Sequence, residues 1–538
     1  MRKSAAAAIC CVCSLVCTAR GQETVEGRMT IQGKNSKVTT NTSTPSVQRR
    51  DWFGIQIVDR QTGRGVPLVE LKTVNHRVFV TDSNGWVALN EPGWEGTSIY
   101  VHISSHGYTY PTDGFGNAGT AVPVTPGGRV KVELDRANVA ERLYRLTGEG
   151  IYRDSVLLGE SVPLAKPVMN ARVFGQDTVF ATPYQGKIFW LWGDTNRSDY
   201  PLGNFRTSSA TSLPPGHGGL DPDLGVDYTY FTQANGFTKK MCPFEGIPGG
   251  LVWLGGLTTV VDDTDRERLI AEYTTLEGLG KPCTQGICVF NDAKEVFDPI
   301  LPQEKGEWRH PGGHPLRMQD GKTEYILFAS AGPFPTVRVP ATYKAVCTPD
   351  AYETFTCLAD GAPYADADTR LSRGADGKLA WRWTNQGAPL SQKHEKDLIK
   401  AGLMRPEECR FRLEDADTGD LIQMHNGSCF WNEYLQSYVL ICGQRFGRSF
   451  LGELWFAASP SPTGPWRKAV RIITHNDYTF YNPTQHPFMD QAGGRHIYLE
   501  GTYVNTFTKN PIKTPRYDYN QIMYRLDLAD PRLKPVLE

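Results

Sequence analysis

The chain carries no excess of charge of either sign. Its formal net charge is -1, which gives no electrostatic reason to expect nucleic acid or an anionic membrane surface as a partner. Several signatures of known chemistry are missing. Gly246 to Gly256 is glycine-rich, but no Lys-Ser/Thr follows, which excludes a phosphate loop. No Gly-x-Ser-x-Gly elbow occurs, although a dispersed Ser/His/Asp triad stays open. Beyond residue 21 there is no Cys-x-x-Cys pair, which argues against structural zinc. No segment has the length and hydrophobicity of a membrane-spanning helix.

What is abundant is aromatic residues and turn formers. Of 538 residues, 40% are hydrophobic and 11% aromatic, with 54 Gly and 36 Pro. That mixture favours short strands and tight turns over helices. Arg2 and Lys3, the apolar and small-residue stretch Ser4 to Thr18, and Ala19 and Gly21 read as an export signal over residues 1–21. No good lipobox precedes its cysteines. The expected location is therefore secreted or periplasmic. Eight cysteines remain (Cys242, Cys283, Cys288, Cys347, Cys357, Cys409, Cys429, Cys442), and an even number in an oxidising compartment predicts disulfides of undetermined pairing.

Residues 22–50 are rich in Thr, Ser, Asn and Gln and read as a disordered linker. From Asp51 the pattern turns to short alternating strands: Gly54–Val58, Val66–Leu71, Arg77–Val80, Trp86–Leu89, Ser98–Ile103 and Arg129–Leu134. Turn residues about every ten positions predict a small β-sandwich over 51–136. The pieces Asp59-x-x-Thr62-Gly63-x-Gly65-Val66-Pro67 and Thr81-Asp-Ser-Asn-Gly-Trp86 resemble the carboxypeptidase regulatory-like (transthyretin-like) module, which implies a spacer or contact unit. His102 and His106 flank a strand end and read as a solvated edge. Residues 137–166 form a connector, with a short helix expected over Val139–Arg145.

The rest of the chain is organised around Gly186-Lys-Ile-Phe-Trp-Leu-Trp-Gly-Asp194-Thr195. A strand with four large apolar residues in a row suits burial on both faces. Leu251–Leu254, Tyr325–Phe328, Tyr438–Ile441 and Ile497–Glu500 read as equivalent strands. The spacing predicts five repeated sheets, with an insertion at about 360–413 that holds a capped helix from Ser391 to Gly402. The expected fold class is all-β: a five-bladed β-propeller over 167–538, preceded by the transthyretin-like sandwich. Phe174-Gly-Gln-Asp177 with Gly186–Thr195, Gly452–Phe456 with Ser461–Trp466, and His486–Phe488 with Ile497–Tyr503 resemble five-bladed glycosidase-like propellers of the DUF4185 group, which includes endo-D-arabinanases. The ending Thr514–Tyr524 resembles a family of secreted bacterial proteins. The resemblance implies a carbohydrate substrate and one loop per blade at a common mouth.

Hydrolysis of a glycosidic bond needs two carboxyl groups, a proton donor and a base or nucleophile. The candidates are Asp177, before a strand, in the position where the resemblance places a base; Asp194, just past the buried strand; Glu500, beside Tyr498 and Tyr503; and Glu453 as the alternative donor. An apolar surrounding would keep a donor protonated near neutral pH. His310 and His314, in His-Pro-Gly-Gly-His, and His486, together with Tyr503, are candidates for substrate binding. Arg338 and Arg516 are candidate clamps for a carboxylate or sulfate. Two histidines are too few for a metal site, and no cofactor is expected beyond structural calcium. The leading function is therefore a secreted glycoside hydrolase acting on a polysaccharide. A polysaccharide lyase and a non-catalytic glycan-binding or adhesive surface protein are the alternatives. The sequence is silent on oligomeric state.

Overall fold

The structure is a computed structural model. It describes residues 51–200, 203–247, 249–278, 281–330, 332–514, 516 and 519–538. The export signal, the linker, Tyr517 and Asp518 lie outside the described residues.

The protein is all-β. The front segment forms two four-stranded sheets. In the first, Phe53–Asp59 lies between Trp86–Leu89 and Arg129–Arg136, with Tyr108–Thr109 at the edge. In the second, Val78–Val80, Glu70–Thr73, Ser98–Ser104 and Gly119–Pro123 follow in order. Alternate residues of both sheets (Ile55, Ile57, Leu71, Val101, Val132) enter one shared core, as period-two patterning requires.

Besides a small two-stranded sheet of Gly175–Gln176 with Thr195–Asn196, five larger sheets follow in chain order, antiparallel but for one added edge strand. The first holds Val179–Tyr184, Lys187–Trp192, Ser208–Ser212 and Thr229–Tyr230. The second holds Leu251–Val261, Glu267–Glu277, Lys281–Asn291 and Val296–Gln303. The third begins with Leu316–Asp320 and Thr323–Ala329 and is widened to five strands by Arg382–Thr384. The fourth runs Met424–Asn432, Ser437–Gln444, Glu453–Ser459 and Trp466–Thr474, with Phe411–Asp415 added in parallel at its edge. The fifth comprises Thr479–Gln485, His496–Val504 and Asn520–Asp527, and its fourth strand is Glu141–Arg145.

The run Phe189-Trp-Leu-Trp192 is buried throughout, as its lack of polar alternation predicts. Its two faces serve different neighbours. Trp190 and Trp192 pack with Tyr498 and Met523 of the fifth sheet, and Phe189 and Leu191 with Leu254 and Phe290 of the second. Each such side chain stabilises by roughly 1.5–3 kcal/mol through burial.

Four sequence expectations change. Leu251–Leu254 belongs to the first strand of its sheet, whereas the other four aromatic stretches are second strands. The equivalent second strand is Glu267–Glu277. Val139–Arg145 is not a helix: Glu141–Arg145 is a strand, all five residues buried, paired with Asn520–Asp527. Tertiary pairing overrides its helical propensity, and Arg142 and Arg145 find buried partners in Ser105, His106 and Asn520. His106 is buried against His475 and Tyr503, not on a solvated edge. Finally, all eight cysteines are free thiols. Cys429 and Cys442 sit on paired strands but out of register, Cys429 facing Leu440 and Cys442 facing Gly427. The capped helix is as expected, Gln392–Lys400, with Ser391 accepting from the His394 amide.

The strand Glu141–Arg145 makes one prediction. Leu143 is fully buried between the first and fifth sheets. Leu143→Ala is expected to cost about 2–5 kcal/mol, read as a lower denaturant midpoint, while exposed Val156→Ala on the helix Arg153–Leu158 should change it by less than about 0.5 kcal/mol.

Candidate active site

The first strands of the five sheets begin at one end of the molecule, and their opening residues form a ring of contacts. The Tyr481 hydroxyl donates to Asp177 at 2.6 Å, and Asn482 Nδ2 to Thr178 at 2.8 Å, joining the fifth sheet to the first. Trp253 Nε1 donates to Asp194 at 3.1 Å, joining the second to the first. The Gly256 amide donates to Gly313 O at 3.1 Å, which ties the second sheet to the loop before the third. Gly332, after the third sheet's second strand, lies against the carbonyl of His425 in the fourth. Asn426 Nδ2 donates to Asn482 Oδ1 at 2.8 Å and closes the ring.

Three of these strands break register just inside the ring, between Gly255 and Thr258, Met424 and Gly427, and Tyr481 and Thr484. Thr178 and Asn482 carry φ of 51° and 49°. Bulges and left-handed residues of this kind re-aim side chains and concentrate at functional sites. For a β-branched residue such as Thr178, positive φ is costly.

Asp177 and Asp194 are the centre of this end. The Asp194 amide donates to Asp177 Oδ1 at 2.7 Å, and Tyr481 takes the other oxygen. Burial raises the pKa of both acids. For Asp177 the Tyr481 and Asp194 donors oppose the rise. Asp194 is pushed up to about 8 by burial and by the charge of Asp177. Asp194 is therefore the carboxyl of the pair that keeps its proton at neutral pH, and the donors to Asp177 favour the charged form there.

A third carboxyl belongs to the same end. Glu272 lies opposite Gly255 in the register, on the face that Trp253 shares. Its carboxylate lies 2.7 Å from the place where a Gly255 Cβ would sit, so a larger residue there would push it aside. Burial raises its pKa, opposed by His310 at 3.8 Å, yet about 19% of its side chain stays open to solvent. His310 bonds the Pro311 carbonyl at 2.7 Å. His314 stacks on Phe180 at 4.9 Å, and burial, with His486 nearby, lowers its pKa to about 3, so its ring is neutral. Glu272, Trp253 and Tyr481 escaped the sequence reading. A lone acid in the apolar run Leu269-Ile-Ala-Glu-Tyr273 was the available signal.

The other candidates are not brought to this mouth. Glu500 is fully buried between the first and fifth sheets, bonded to His486 at 2.7 Å, with Trp190 against that histidine ring. Burial raises the Glu500 pKa and His486 opposes the rise. Glu453 accepts from Arg471 at 3.0 Å and from the Arg448 amide, which makes it an anchor for a loop. Arg338 is sandwiched between the rings of Tyr325 and Trp383 and paired with Asp320 and Glu353 at 2.7 Å each. Arg516 bonds Asp154 and the Val80 carbonyl, linking the final loop to the front sheets. Tyr503 is core, packed on His106, His475 and Tyr478. Among the described residues no group of three or more His, Cys, Asp or Glu side chains is placed to hold a metal ion.

Comparison with protein-family models gives no match, and comparison with curated protein sequences gives none. Solved structures with a related course of the chain include a Bacteroides ovatus protein crystallised as a candidate hydrolase, 13% identical, covering 66% of this chain and 86% of that one, with a TM-score of 0.41. An exo-β-1,3-galactanase from Phanerochaete chrysosporium is 9% identical over 72% of this chain and 65% of its own, with a TM-score of 0.35. An exo-1,5-α-L-arabinanase from a bovine ruminal metagenomic library is 10% identical over 66% and 94%, with a TM-score of 0.32.

Proposed function

We propose that the five sheets are the blades of a five-bladed β-propeller, that the front sheets are a carboxypeptidase regulatory-like sandwich, and that the chain is a secreted glycoside hydrolase acting on a polysaccharide. One observation carries the enzymatic reading: three carboxyls with raised pKa, Asp177, Asp194 and Glu272, stand at the end where all five first strands begin. Acids elsewhere, such as Glu353 and Glu453, are paired with arginines. These three are bonded by Tyr481, a backbone amide and Trp253, and faced by His310.

In this reading Glu272 gives its proton to the glycosidic oxygen as the bond to the anomeric carbon breaks. Asp177 acts from the other side, taking the proton of the water that adds to that carbon. Asp194, holding the pair's proton, keeps a second negative charge off Asp177. The half-buried ring of Trp253 offers a face for a sugar.

The test is the release of reducing ends from a panel of polysaccharides. Glu272→Gln is expected to lower turnover about 10²–10⁴-fold, and an aryl glycoside with a good leaving group should recover most of the loss, because departure then needs no proton. Asp177→Asn should gain nothing from that substrate. Release of unsaturated, ultraviolet-absorbing products would instead mark a lyase. Glycan binding without release across the panel would remove the enzymatic reading.

A further inference from the structure

Arg338 and Arg516, the arginines that the sequence offered as anion clamps, are internally paired. Two other arginines are not. The segment between Ser437–Gln444 and Glu453–Ser459 reads Arg445-Phe-Gly-Arg-Ser-Phe-Leu451. It leaves the end of a second strand and enters a third, so it lies at the end where the first strands begin. Phe450 and Leu451 pack into a cluster with Tyr481, whose hydroxyl bonds Asp177. Phe507, in the loop after His496–Val504, meets the Tyr481 ring at 5.3 Å.

The loop backbone is fixed. The single Ser449 hydroxyl hydrogen lies between two carbonyl oxygens, His475 O at 2.8 Å and Tyr478 O at 2.6 Å. Gln444 Nε2 donates to Phe446 O at 3.1 Å. Gly447 lies so close to the Glu453 carboxylate that no Cβ fits. By contrast, the side chains of Arg445 and Arg448 make no hydrogen bond or ion pair with any described residue, and neither does that of nearby Lys509. Phe446 is 66% exposed with its ring on Phe450 at 5.6 Å. Asp477 is the exposed carboxylate on the adjoining turn. A rigid loop that displays unpaired guanidinium groups beside an open aromatic face matches a ligand with anionic oxygens and an apolar ring face. Because the backbone is already held, binding costs little ordering.

We propose that this loop is a subsite for an anionic sugar residue, so that the substrate is an acidic polysaccharide whose carboxylate or sulfate is read by Arg445 and Arg448 while its ring lies on Phe446. The proposal rests on the hydrolase reading and names its substrate class.

The experiment measures binding by calorimetry to the full chain carrying Asp177→Asn, expected to slow turnover about 10²–10⁴-fold. The probes are matched pairs: oligogalacturonates against their carboxyl-reduced forms, and chondroitin sulfate oligosaccharides against desulfated ones. At least one acidic probe is expected to bind 10-fold or more tightly than its matched partner. Arg445→Gln with Arg448→Gln should remove that preference, and Arg→Lys at both positions should restore part of it. Loss of affinity on carboxyl reduction identifies a uronate, and loss on desulfation a sulfate ester. The proposal is overturned if no acidic probe binds, if the matched partners bind equally, or if the double variant keeps the preference. Failure of the hydrolase reading shows separately, as turnover unchanged by Asp177→Asn, and leaves the binding preference measurable.

Discussion

Asp177→Asn is expected to lower release of reducing ends about 10²–10⁴-fold, the range for removing a positioned base. The side-chain oxygen of Asn can still accept from the Asp194 amide, which now donates at 2.7 Å to Asp177 Oδ1. The fold should therefore survive and KM should change little. What Asn cannot do is take a proton. A fall confined to kcat, with an unchanged thermal midpoint, is the result that supports the role. An equal fall in kcat and stability, or full activity, would remove it.

The second large effect concerns Asp194 and is a gain in stability. Its pKa in the folded protein is about 8, against about 3.9 for a free aspartate. Between those values the folded chain holds a proton that the unfolded chain has released, so the folded state binds more protons. Stability must then fall as pH rises through this window. Asp194→Asn removes that penalty and is expected to stabilise the protein at pH 7 by on the order of 1–3 kcal/mol, with little effect near pH 4. Thermal unfolding at the two pH values checks it. A destabilisation equal at both would refute the assignment. Because the mechanism asks Asp194 only to stay neutral beside Asp177, the same variant is expected to retain most of its turnover.

The parts of the fold that were legible from sequence follow from strong local signals. The row Phe189–Trp192 could only be a strand buried on both faces, and Ser391 with Gly402 marked a helix between its caps. What was not legible depends on pairing across long distances. Glu141–Arg145 has the composition of a helix and becomes a strand because Asn520–Asp527 presents a free edge to it. Leu251–Leu254 looks like its four counterparts, but the turn that follows it places it first in its sheet. Asp177, before one strand, and Asp194, just past the buried one, were readable as acids at strand ends. Glu272 was not, since a mid-strand acid looks like an edge residue until Gly255 opposite it leaves a hollow. Glu500 shows the converse. Its aromatic neighbours do raise its pKa, as expected, but they also enclose it completely.

The strand borrowed by the fifth sheet has a consequence for biogenesis. Arg145 pairs with Ile522, so the segment Glu141–Arg145 must wait, its edge unmatched, until Asn520–Asp527 has been synthesised. Closing so wide a loop is slow. In the interval the unmatched edges invite pairing with other nascent chains. Refolding yield should therefore depend steeply on protein concentration.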